Sequence, residues 1–152
     1  MKSTKRYGKK AAIALDMWVK LARAFGTFSK HAFDDIRRYG LTQPQFGIVE
    51  ILGHVGPLTL GELAKKQLSS CGNMTVVVDN LEKEGLVVRK PCKEDRRSIY
   101  VHLTPKGQQT FKETFHHHAQ HITTLASVLA EKEQQQLAGL LRKLGLGLKD
   151  MG

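Results

Sequence analysis

Apolar residues along the chain follow two different periods, and the change between them organises everything else. From about residue 11 to 38, Ile13, Met17, Leu21, Phe25, Phe28, Ala32 and Ile36 recur at three- or four-residue steps, the stripe of one long amphipathic helix that Gly40 closes. Thr42 and Pro44 open a second helix, which should bury Phe46, Ile48, Ile51 and Leu52 before the glycines at 53 and 56. Thr59-Leu60-Gly61-Glu62 has the spacing of a capping box, with Leu58 and Leu63 as its hydrophobic staple, and predicts a short helix over 60–66. After a turn at 67–69, Ser70 suits the N-cap of a helix reaching Glu84, with Met74, Val77, Val78 and Leu81 inward and Gly85 as the stop.

The period then becomes two. Leu86 to Lys90 is valine-rich, and Ile99, Val101 and Leu103 alternate with Ser98, Tyr100 and His102, so two strands are expected around a polar tip at 91–97. Thr104-Pro105 restores the helical period, Thr as cap and Pro at the first helical position. Phe111, Phe115, Ile122, Leu125 and Leu129 carry that stripe, and Leu137, Leu140, Leu141 and Leu144 carry a last one over about 131–145. Repeats and internal linkers are lacking. The expectation is one mainly α domain over 1–152 with a small β-hairpin: a basic arm at 1–10, long flanking helices at 11–38 and 105–148, and a compact lobe at 42–104.

Two helices joined by a short turn and followed at once by a hairpin make a winged helix-turn-helix. The second helix of such a unit fits the major groove of duplex DNA. Its outward face would hold Gly72, Asn73, Val76, Asn80 and Lys83, with Thr75 at the margin and Ser70 at the cap. Asparagine reads adenine edges and valine touches a thymine methyl, whereas Lys83 is better placed for phosphate. The segment from Lys83 to Arg97 has six basic and three acidic residues and ends in Arg96-Arg97, side chains suited to a narrow minor groove.

Composition supports a polyanionic partner. The 152 residues carry 24 Lys and Arg against 14 Asp and Glu, a net charge of +10, which fits nucleic acid or an acidic membrane surface. The basic residues at 2, 5, 6, 9 and 10 precede an apolar run that stops at Asp16, too short for an export signal or a membrane span. A cytoplasmic protein that neither spans nor binds a membrane is the reading. With only Cys71 and Cys92, a disulfide framework is not expected.

From Tyr39 to Phe111 the chain resembles the MarR family of bacterial regulators, in "YGLTQPQFGIVEIL", "PLTLGELAKKQ", "LSSCGNMTVVVDNLEKEGLVVRK" and, most specifically, "KEDRRSIYVHLTPKG". The resemblance implies a homodimer joined through its N- and C-terminal helices, a roughly palindromic operator, and release on a signal. It implies that Asp95 orients Arg97 toward the minor groove, with Arg96 as the competing choice. A small aromatic or lipophilic anionic effector is implied too, and Trp18, Phe25, Phe28, Phe46 and Phe115 are the aromatics available to it. The chain departs from the family where Val76 and Asn80 replace frequent arginines, where Cys71 replaces a basic residue, and where Ala130 stands in place of a Ser or Thr cap.

Two other signals compete for attention. His117 and His121, in the cluster His116, His117, His118 and His121, have the one-turn spacing of two metal ligands, which would make a metal-responsive regulator. Zinc-sensing relatives carry a Glu-His pair where this chain has Phe46-Gly47, and His118 falls on the apolar stripe. Cys71 begins the proposed recognition helix near Lys65 and Lys66, and Cys92 sits at the wing; a thiol activated by the helix start and those lysines, or one exposed at the wing, would make a redox switch. Paired acids, an activated nucleophile and a phosphate loop are missing, so neither an enzyme nor a cofactor is expected. The remaining alternative is a winged helix that binds RNA or another protein.

Overall fold

The computed structural model describes residues 7–67, 71–91 and 98–149, and for Cys71 and Lys149 the backbone only. Helix α1, Lys9–Ile36, passes through a 3-10 turn at Arg37–Tyr39 and stops at Gly40, whose φ of 72° places it in the left-handed region that glycine reaches without strain. Helix α2, Gln43–Val55, starts on a capping box that the pattern of hydrophobic residues alone does not reveal. The Thr42 hydroxyl accepts the Gln45 N–H, and the Gln45 side chain accepts the Thr42 N–H at 2.8 Å.

Strand β1, Leu58–Thr59, leads into α3, Leu60–Gln67. The expected box is present: Glu62 accepts the Thr59 N–H at 2.8 Å and returns its own N–H to the Thr59 hydroxyl at 3.3 Å. Helix α4 spans Cys71–Lys83, strand β2 Val87–Pro91 and strand β3 Ile99–Leu103. The strands form one antiparallel sheet ordered β1-β3-β2, with Leu58 opposite Val101 and Val87 opposite Leu103. The sheet is therefore larger than the hairpin expected from sequence: β3 pairs on both edges. Helix α5, Pro105–Ala126, is capped by the Thr104 hydroxyl, and α6, Glu131–Lys149, runs four residues beyond its expected end.

One core joins these elements. Ile36, Ile48, Val49, Leu63, Met74, Val78, Leu81, Val87 and Val101 are its fully buried side chains, drawn from the end of α1, from α2, α3 and α4, and from β2 and β3. Ile51 and Val77 pack on it while remaining half-buried. Two glycines set the closest approaches. A Cβ at Gly107 would overlap the Leu86 backbone oxygen, and one at Gly53 would enter the Phe111 ring, so α5 lies tight against the base of β2 and against α2. None of the described helices is long and apolar enough to cross a membrane.

Candidate nucleic-acid interface

Helix α4 divides into two faces. Met74, Val78 and Leu81 are buried at 0–1% exposure, while Gly72, Asn73, Thr75, Val76, Asn80 and Lys83 are all exposed, Val76 at 59%. That is the set the sequence placed outward. Ser70 at the cap lies outside the described residues, as do Asp95, Arg96, Arg97 and Cys92; the Cys71 side chain is likewise not described.

The end of α3 is tied to the start of α2. The Gln67 amide donates to the Pro44 carbonyl at 2.9 Å and occupies the space that Gly47 leaves beside it. At its C-terminal end α4 is held by the joint into α5. Lys106 Nζ donates to the Glu84 carbonyl at 2.7 Å, and the Thr104 hydroxyl donates to the Gly85 carbonyl at 2.6 Å while accepting the Gly107 N–H. Orphan carbonyls at a helix C-terminus attract a cation, and here it comes from "LTPKG".

Helix α4 is also clamped to β2. Arg89 Nη2 donates to Asp79 Oδ1 at 2.6 Å, Arg89 Nη1 to Glu82 Oε2 at 2.6 Å, and the Arg89 N–H to Glu82 Oε1 at 3.0 Å. The bond from the Arg89 backbone holds the Glu82 carboxyl below its ordinary range, with the guanidinium adding to it. Burial works against the charge on Arg89, and the two carboxylates outweigh it, raising its pKa further. From sequence Arg89 counts only among the basic residues of the wing. Alternation held the missing signal: Arg89 shares a strand face with buried Val87, and an inward-facing arginine requires an acid.

The two histidines with the spacing of metal ligands, where no metal site is expected, each have another partner. His117 stacks on Tyr39 at 6.2 Å, and His121 donates from its ring to the His31 carbonyl at 3.1 Å. Among the described residues, His, Cys, Asp and Glu form no cluster of three that could hold a metal ion. His118, placed on the apolar stripe by its spacing, does pack inward: its ring meets Phe46 edge-on at 4.8 Å, and its Nδ1 is buried without a hydrogen-bond partner. Burial lowers its pKa, against the pull of Glu50 and Asp35. The five aromatics considered for an effector do not meet in one place. Trp18, Phe25 and Phe28 are exposed on α1, Phe46 is in the core, and Phe115 stacks with Phe111 and meets His54 edge-on where α2 meets α5.

The sequence model of the MarR family matches residues 41–99. Over 133 residues the chain is 36% identical to the uncharacterised HTH-type transcriptional regulator YkoM of Bacillus subtilis, spanning 88% of this chain and 86% of that protein. This chain belongs to the MarR family. MhqR, another HTH-type transcriptional regulator of Bacillus subtilis, is 33% identical over 90% of this chain and 94% of its own length. The fold matches that of AbsC, a MarR family transcriptional regulator from Streptomyces coelicolor, with a TM-score of 0.80, 21% identity, and coverage of 93% and 96%. As a MarR member it is a DNA-binding transcriptional regulator built on a winged helix-turn-helix, not an enzyme.

Proposed function

We propose that the chain is a cytoplasmic homodimeric repressor that reads a palindromic operator with α4 and the hairpin β2–β3 of each copy. The observation that carries this reading is the exposed polar face of α4, from Gly72 to Lys83, backed by Met74, Val78 and Leu81 in the core. Asn73 and Asn80 supply base contacts, Val76 an apolar one, Thr75 and Ser70 the helix start, and Lys83 phosphate. At the wing Asp95 orients Arg97, with Arg96 as the alternative, into the minor groove.

Dimerisation has its own support. Ile13, Met17, Trp18 and Phe25 of α1 and Leu137, Leu140 and Leu146 of α6 are each at least 45% exposed, more apolar surface than a lone monomer leaves in water. Selection of bound duplexes from a random library tests the whole reading. Two half-sites about one helical turn apart are expected; enrichment of RNA, or of no sequence, would end it. Arg97→Ala should then weaken operator binding by about 1–3 kcal/mol, and unchanged affinity would remove the wing from recognition.

The releasing signal is proposed to be a small aromatic or lipophilic anion acting where α2 meets α5. Support comes from the aromatic residues there, Phe111, Phe115 and His54, and from the unpartnered Nδ1 of His118 beside Phe46. Oxidation at Cys71 or Cys92 is the second route, and peroxide should then release DNA from the wild type and not from Cys71→Ser or Cys92→Ser.

A further inference from the structure

The clamp on α4 is an unusual use of charge for a protein that binds a polyanion. Asp79 and Glu82 lie one turn apart, each next in sequence to a residue of the exposed face, Asn80 and Lys83. Left to themselves, two carboxylates at that margin would repel phosphate. Both are engaged by a single arginine from another element. Arg89 is only 22% exposed, so its charge is turned inward to the acids and away from solvent, while Asp79 and Glu82 stay 46% and 37% exposed. Glu82 also takes the Arg89 backbone N–H, so the strand itself is pinned and not merely its side chain. From that point β2 runs two residues further, to Pro91.

We propose that Arg89 is a positioning residue for sequence recognition: by gripping Asp79 and Glu82 together it sets the angle of the wing against the recognition helix and offsets half of the negative charge they carry at the DNA face. This rests on α4 and the hairpin reading one duplex jointly. Arg89 itself touches no DNA. Its effect is therefore on the ratio of operator to random-duplex affinity and not on total basic charge, because only a correctly angled pair of elements engages two grooves at once.

The decisive variant is Asp79→Asn with Glu82→Gln, which removes two negative charges while keeping size and an acceptor for the Arg89 N–H. Simple electrostatics says such a protein binds every duplex more tightly. The clamp says otherwise: random DNA is bound more tightly, the selected operator less tightly, and their ratio falls about tenfold. Hydroxyl-radical protection should fade at the flanks touched by the wing and persist at the centre of each half-site. Equal tightening on both duplexes, with the ratio and footprint unchanged, overturns the proposal.

Arg89→Met supplies the cross-check. Its effect on the operator should be about tenfold in the wild type and much smaller when combined with D79N and E82Q, since coupled residues are not additive. An equal loss in both backgrounds, with the salt slope lower by about one, would make Arg89 a phosphate contact and refute the clamp. Circular dichroism and thermal melting of each variant separate these effects from unfolding, and the isosteric double variant carries the test where Arg89→Met does not fold. A wild type with no preference among duplexes fails earlier, at the reading of α4 itself, before any variant is compared.

Discussion

The lobe and the helices that flank it are built to different standards, although both are amphipathic. In the lobe, α2 and α3 begin on complete capping boxes at Thr42 and Thr59, and α5 leaves it from the Thr104 cap. Its core positions reach 0% exposure at Ile48, Val49, Leu63, Val78, Leu81 and Val101. By contrast α1 starts at Gly8 without a side-chain cap, and α6 has only half of one, the Glu133 carboxylate accepting the Ala130 N–H at 2.8 Å. Not one described side chain of α6 is buried. Hydrophobic stabilisation scales with area removed from water, so the monomer's folding energy resides mainly in the lobe, joined by the end of α1 and the α5 residues packed on it. The flanking helices hold theirs in reserve for another surface.

The same truncation in the two regions should therefore behave differently. Leu81→Ala, at a site with no exposure, should cost about 2–5 kcal/mol in denaturant unfolding, independent of protein concentration. Leu140→Ala, at 66% exposure, should cost little in dilute monomer, and a penalty should emerge only at concentrations where copies associate. Sedimentation velocity beside urea melts at two concentrations checks both. A concentration-independent loss at Leu140 would erase the contrast.

Much of this contrast was legible in the sequence, and the reasons are local. Thr59 to Glu62, Thr104-Pro105 and the glycines at 40 and 85 mark helix ends through contacts within four residues, so α3, the start of α5 and the end of α4 followed to within a residue, whereas α5 stops at Ala126, short of the Leu129 its apolar stripe includes. The outward set on α4 followed from the period of its inward one. What escaped notice depends on distant partners. Leu58 and Thr59 read as a staple and a cap, and only pairing with Val101 and Tyr100 makes them a strand. Arg89 read as one more basic residue until β2 brought it to Asp79 and Glu82. His117 and His121 had the spacing of a metal pair, yet Tyr39 and the His31 carbonyl, from other elements, take them separately.

A gentler test acts on the incomplete cap. Ala130→Ser adds a hydroxyl where Glu133 already holds the backbone N–H, completing the reciprocal pair that Thr59 and Glu62 form in the lobe. The gain should be about 1 kcal/mol, read as a higher denaturation midpoint. A loss of stability would mean that α6 does not start where its hydrogen bonds place it.

The smallest effect expected lies at the seam between the two regions. His118 on α5 faces Phe46 of α2, with Glu50 and Asp35 acting on it from α2 and α1, and with its own neighbour His121. Burial favours the neutral ring and brings its pKa below the ordinary 6.5. The sign follows: in the window between the folded value and 6.5 the unfolded chain binds more protons, so stability is full above 6.5 and declines as pH falls through that window. Below the folded value this residue adds no further change. Glu82, whose carboxyl is held low by the Arg89 backbone bond, starts to lose its contribution only as pH falls below its ordinary 4.5, so its window opens at lower pH than that of His118. Replacing His118 with Gln should flatten the fall of the denaturation midpoint just below pH 6.5 and leave the later acid limb in place. If the wild type and His118→Gln lose stability in parallel across that first window, the ring is not held neutral at the seam, and the packing between α2 and α5 is looser than the lobe it adjoins.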